Sequence, residues 1–370
     1  MTSKERMMRA LNREKPDRLP VSLHQWQQYH LDKYLGGMSD LAAFEKFGFD
    51  AQAQYFGDVG QTQLQSAALK SSTANWRIEP EVISSDPDNR AVNYTIHTPE
   101  GTLTYKNAGD RKTTWVTEYM VKQDEDIRLI GKYMPVPKLS LKPVSNLYDQ
   151  LGDRGILRGF VWGDQAGCWQ HACCLMDVNE LLLAFFDKPD WVHEFLSYLL
   201  EKKLQFIESM KGAKFDLIET GGGAASSTLI SPNLHKEFCT PYDHKIHNAL
   251  HELGFKVSYH TCGGTLGIEE MIIANGCDVS ETLAPVSIGG NQEPWEFAAK
   301  VDNRLALIGG MDQFSILTNG TKEGIRAKVH ELFEKVGPNG GYICAACDHF
   351  FETPVENLKV FADAAKECVY

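Results

Sequence analysis

From about residue 156 onward, short apolar runs alternate with longer amphipathic ones. The runs are I-L-R-G-F-V-W at 156–162, F-D-L-I-E at 215–219, F-K-V-S-Y-H at 255–260, C-D-V-S at 277–280, L-A-L-I-G at 305–309 and Y-I-C-A at 342–345. Between them, helical spacing covers 179–186, 189–211, 232–253, 267–275, 293–300, 321–336 and 354–368. Short, almost wholly apolar strands joined by long crossovers predict a parallel sheet covered on both faces by helices. Two earlier runs, V-S-L-H at 21–24 and one near 51–56, bring the strands to eight. The expected fold is therefore an α/β closed (β/α)8 TIM barrel. A doubly wound open sheet is the alternative, against which stands the lack of a Gly-x-Gly-x-x-Gly after any strand.

Two stretches depart from this rhythm. Residues 1–12 have helical spacing and precede the turn-rich E-K-P-D-R-L-P at 14–20, which predicts an N-terminal helical extension. A second early helix is expected over 39–47, stopped by G-F-D at 48–50. Between 72 and 120 the period falls to two. V-N-Y-T-I-H at 92–97, G-T-L-T-Y at 101–105 and T-T-W-V-T-E-Y at 113–119 carry β-branched and aromatic residues, with T-P-E-G at 98–101 as a turn. The reading is one barrel domain over 1–370 with a small antiparallel β insertion at 72–120.

Charge narrows the function. A formal net charge of −12 over 370 residues argues against a nucleic-acid groove, which needs concentrated Lys and Arg. The N-terminus is charged throughout its first helix and lacks a signal-peptide core. The longest apolar runs, as at 181–186, fall far short of the roughly 20 residues of a bilayer span. A soluble cytoplasmic protein with no membrane association is expected. Nine cysteines are too sparse and irregular for a secreted disulfide framework, so they are expected as free thiols or ligands.

S-Y-H-T-C-G-G at 258–264 places His260 and Cys262 at the carboxyl end of a strand, where a barrel carries its chemistry. Alternation sends both side chains the same way if the strand persists to 262. Gly263 and Gly264 then let the backbone turn closely. Imidazole and thiolate suit zinc. Another strand, G-G-Y-I-C-A-A-C-D-H-F at 340–350, ends with Cys347, Asp348 and His349, and Cys347 can complete a His/Cys/Cys set. Cys344 lies deeper and reads as core. Glu281, at the end of the next strand, is a fourth ligand or a catalytic carboxylate, with Glu219 as its rival. Gly221–Gly223 read as a tight loop beside a ligand, since no G-K-[ST] follows.

These pieces resemble one superfamily, the uroporphyrinogen decarboxylases and the zinc-dependent, corrinoid-linked methyltransferases related to them. The resemblance rests on R-M-M-R-A-L-N-R-E-K-P-D-R-L-P at 6–20, F-G-F-D at 47–50, T-P-E-G-T-L at 98–103, S-P-N-L-H-K-E-F at 231–238, H-T-C-G at 260–263, G-G-Y-I-C-A-A-C at 340–347 and T-P-V-E-N at 353–357. In the methyltransferase branch it implies Zn2+ held by His260, Cys262 and Cys347, with Glu281 where more distant members place a glutamate ligand. The decarboxylase branch carries an arginine-bearing segment after the first strand for a tetrapyrrole's carboxylates. Here that segment is L-H-Q-W-Q-Q-Y-H at 23–30, without arginine. Gln25, Gln28, Trp26 and Tyr29 instead suggest an aromatic, amide-rich wall for a small organic substrate, and W-G-D-Q-A-G-C-W-Q-H at 162–171 adds Asp164, Gln165 and His171 as hydrogen-bonding or acid groups.

The resemblance implies a corrinoid (cobalamin) carried by a small partner protein, since no D-x-H-x-x-G cobalamin motif occurs in this chain. Two directions of methyl transfer follow. The favoured one moves a methyl group from an O-methyl donor, an aromatic ether or methanol-like compound, to Co(I). The alternative moves it from methyl-Co(III) to a thiol. A decarboxylase-like enzyme and a non-catalytic corrinoid-protein binding module remain as further alternatives.

Overall fold

The computed structural model describes residues 1–56, 72–163 and 167–370. Eight parallel strands form one sheet, β1 (Val21–Ser22), β2 (Ala51–Gln54), β7 (Gly155–Phe160), β8 (Leu217–Gly221), β9 (Val257–His260), β10 (Val279–Thr282), β11 (Ala306–Met311) and β12 (Tyr342–Ala346). Their order is β1-β12-β11-β10-β9-β8-β7-β2. The two end strands meet where the Asp50 backbone N–H donates to the Val21 carbonyl at 2.8 Å, and the Gln54 amide donates to the His24 carbonyl at 2.6 Å. The sheet is thus a near-closed (β/α)8 barrel.

A separate four-stranded antiparallel sheet, β3 (Arg77–Asp86), β4 (Asn89–Thr98), β5 (Gly101–Gly109) and β6 (Thr114–Glu118), is the insertion. Three of its strands match the sequence expectation. β3 was not anticipated, because an outer strand exposed along most of its length, with Pro80 in it, carries no buried face to read. The helical stretch 232–253 is two helices, Pro232–Phe238 and Thr240–Glu252, broken ahead of Pro241, whose ring and missing N–H cannot continue a helix. Among the described residues no helix is long and apolar enough to cross a membrane.

Helix α1 (Ser3–Leu11) begins with a capping box between Thr2 and Glu5. Its buried face, Met7, Ala10 and Leu11, packs with Ile156, Leu217, Val279, Ile308 and Ile343 across the amino end of the barrel. Burying each large apolar side chain here contributes roughly 1.5–3 kcal/mol. Asp50, fully buried, ties this cap to the seam. It accepts from Arg6 Nη1 at 2.7 Å, Arg18 Nη1 at 2.9 Å, Ser3 Oγ at 2.7 Å and the Val21 N–H at 3.1 Å. The R-M-M-R, P-D-R-L-P and F-G-F-D stretches therefore serve architecture: they fasten α1 to β1 and β2.

Candidate metal centre

At the other end of the barrel the interior is charged. Arg158 of β7, Glu219 of β8, His260 of β9 and Glu281 of β10 are all buried. Arg158 Nη2 lies 2.6 Å from Glu219 Oε2 and also pairs with Glu281 Oε1. Burial works against the Arg158 cation and lowers its pKa, while Glu219 opposes the shift. The pairing through Nη2 offsets part of the cost of burying an arginine and two carboxylates, while Arg158 Nε and Nη1 are buried without a hydrogen-bond partner among the described residues.

Glu281 also holds the histidine. Its Oε1 is 3.1 Å from His260 Nδ1, with Glu219 Oε1 at 3.5 Å. The other ring nitrogen, Nε2, is buried and has no hydrogen-bond partner among the described residues. A neutral imidazole whose Nδ1–H donates to a carboxylate presents Nε2 as a lone-pair donor, the usual carboxylate–histidine arrangement behind a metal. Burial pushes the His260 pKa down, which favours that neutral form, with Glu219 opposing.

β9 ends at His260, so Cys262 stands in the following loop rather than on the strand. The loop is pinned on both sides. The Gly222 N–H donates to the His260 carbonyl at 2.8 Å, and the Thr261 N–H to the Glu281 carbonyl at 2.7 Å. Gly221 and Gly222 take φ of +86° and +147°, open to glycine, and a Cβ on Gly223 would stand 2.6 Å from Cys262 Sγ. The glycine run thus clears space for the thiol. Ligand atoms of His260, Cys262 and Asp348 come within 4.8 Å of one another. Burial, with the Asp348 carboxylate next, pushes the free Cys262 thiol well up, so a cation is what would keep it as thiolate. An unpartnered imidazole nitrogen, a thiol and a carboxylate fit zinc by donor chemistry.

Cys347 does not join this group. It follows the last residue of β12, and its Sγ turns to the Leu283 carbonyl at 3.7 Å, while the next residue, Asp348, faces His260 and Cys262. Neighbouring positions at a strand end face opposite ways, and the sequence alone does not say which one turns inward. Cys344 is fully buried in β12. Glu281 and Glu219 gather with His260 and His24 in a group that does not include Cys262.

The remaining predicted residues separate. Trp26 is packed core against Phe44, Phe47 and Phe350, not a wall of the mouth. Gln25 puts its amide nitrogen against His349 Nε2. The Tyr29 hydroxyl donates to Glu352 at 2.8 Å. His171 is buried against Trp162 beside the Gly163 backbone, and burial holds its pKa well down. It is not among the residues gathered around His260. Asp164 and Gln165 lie outside the described residues. Sequence reasoning missed Arg158 and His24. A charged residue two positions from Ile156 in an apolar strand was the available signal for the first; His24 gave none beyond its strand-end position.

Comparison with known proteins agrees with the architecture. The chain is 22% identical to methylcobamide:CoM methyltransferase MtbA of Methanosarcina mazei, over all of this chain and 99% of that protein. It is 24% identical to a uroporphyrinogen decarboxylase of Alcanivorax borkumensis, over 98% of this chain and 97% of that one. A solved methyltransferase from Methanosarcina mazei superposes with a TM-score of 0.68 at 17% identity, covering 99% of both chains, which speaks for the fold. The uroporphyrinogen decarboxylase (URO-D) pattern matches residues 107–368, the greater part of the barrel, and the chain belongs to that family.

Proposed function

We propose that this protein is a corrinoid-dependent methyltransferase that moves a methyl group from a methylated corrinoid on a partner protein to a thiol. The observation that carries the reading is His260, held at Nδ1 by Glu281 and unpartnered at Nε2, beside Cys262 and Asp348. His260, Cys262 and Asp348 would hold zinc, and Cys347 would need its side chain to turn to take part. Zn2+ bound there supplies the Lewis acidity that keeps an incoming thiol deprotonated at neutral pH. The corrinoid would supply the methyl carbon to the thiol sulfur, and the electron pair of the broken Co–C bond would leave with cobalt.

Two points favour the thiol over the O-methyl donor. The relatives from Methanosarcina mazei include the methylcobamide:CoM methyltransferase and a methylated-thiol–coenzyme M methyltransferase, 23% identical over 48% of this chain. The aromatic wall expected for an ether is also depleted, since Trp26 is in the core. Decarboxylation of a tetrapyrrole needs cationic groups for many carboxylates, whereas Arg158 is already engaged by Glu219 and Glu281. The chain's own residues orient the imidazole through Glu281 and set it above the apolar layer at the amino end of the barrel, and a corrinoid would have to come within reacting distance of it.

The test uses zinc-loaded protein with free methylcobalamin and a panel of thiols, following the cobalt absorption. Loss of methylcobalamin with a methylated thiol as product is expected, falling at least about a hundredfold in Cys262→Ser. Turnover only in the opposite direction, Co(I) taking methyl from aromatic ethers or methanol, would overturn the proposed direction.

A further inference from the structure

Beside the His260–Cys262 group stands a second cluster that methyl transfer does not require. His24 follows β1, and Asp348 and His349 follow β12, the strand paired with β1. Ligand atoms of the three lie within 4.8 Å of one another. The His24 ring is 5.0 Å from that of His260 and 5.6 Å from that of His349. His24 is only 5% exposed, and its ring lies against those of both His260 and His349. A neutral imidazole carries one ring nitrogen with a free lone pair to offer, and here a second imidazole and a carboxylate stand within reach of the same space. Asp348 belongs to both clusters, and a carboxylate has two oxygens to divide between two cations.

We propose that His24, Asp348 and His349 form a second divalent-cation site adjoining the one at His260 and Cys262. The two sites differ in chemistry. The inner one includes sulfur and suits zinc. The outer one offers two imidazoles and a carboxylate, a set open to manganese, cobalt, nickel or zinc. They differ in access as well: the Asp348 and His349 side chains are 34% and 39% exposed, so the outer cation exchanges with solvent more freely. A cation there would set positive charge at the mouth, one histidine away from the thiol site. The inference stands whether or not the protein transfers methyl groups.

The experiment is Co2+ titration of the metal-stripped full-length chain by equilibrium dialysis, with absorption spectra recorded at each addition. Wild type is expected to take up two Co2+ per chain, one with sulfur-to-cobalt charge transfer and one without. His349→Ala, a change at a partly exposed side chain, is expected to keep the charge-transfer species and weaken the other by at least about tenfold. Cys262→Ser should do the reverse, losing charge transfer while retaining an equivalent that needs His349. Saturation of wild type at one equivalent, or a second equivalent that persists in His349→Ala, would overturn the proposal. Methylcobalamin turnover is measured separately, so an inactive protein with two cation sites and an active one with a single site are told apart.

Discussion

The two ends of the barrel interior are built from the same strands and differ by one layer of side chains. On β7, β8 and β10 the lower inward positions are Ile156, Leu217 and Val279, packed under α1. Two residues further along the same strands stand Arg158, Glu219 and Glu281. A step of two residues, roughly 6.6 Å, takes the interior from aliphatic to ionic. The lower layer is held by apolar burial and closed by Met7, Ala10 and Leu11. The upper layer is held by mutual satisfaction of charges and opens on His260, Cys262, His24 and Asp348. Packing at one end stabilises the barrel, which lets the other end carry groups that a protein interior disfavours.

The largest test of that division is Arg158→Met. It leaves Glu219 and Glu281 buried without their cation, and a loss of about 3–5 kcal/mol is expected in urea unfolding. Zinc affinity should also fall, by about 10–100-fold, because the Glu281–His260 contact loses its anchor. A variant as stable as wild type that still bound zinc would show that the upper layer is not organised by this arginine. Leu11→Ala probes the lower layer. It should cost about 2–5 kcal/mol, the usual range for a buried leucine, and leave metal stoichiometry and turnover at saturating substrate unchanged. A shift in metal binding there would dissolve the distinction between the two ends.

The smallest effect belongs to the rim. Lys112, in the turn between β5 and β6, pairs with Glu352 at 3.0 Å, and Glu352 also takes Lys33 at 2.8 Å. The Lys112 pair joins the insertion to the barrel mouth, both pairs are solvent-exposed, and such pairs contribute little. Lys112→Ala should leave the urea midpoint where it is. A clear drop would mean that the insertion supports the barrel rather than resting on it.

Much of this was legible beforehand. All eight barrel strands lie within a few residues of the positions the sequence predicts, because a strand buried on both faces is largely apolar along its length. The carboxyl-end location of His260 and Cys262 followed from the same pattern. β3 escaped because its exposed residues record no burial. The split at Cys239 needed Pro241 to be weighed against a helical period that continues through it. Asp164 lies outside the described residues, so its assignment stays with the sequence.

The sequence by itself determined which residue types stand at each strand end, since alternation and apolar runs are local properties of the chain. Tertiary structure decided which of them meet. It brought His24 to His349 across 325 positions, turned Asp348 rather than Cys347 toward Cys262, and set Glu281 behind His260 instead of beside the thiol. Those choices depend on barrel closure and on single-residue rotations at strand ends, and neither leaves a periodic trace in the amino-acid order.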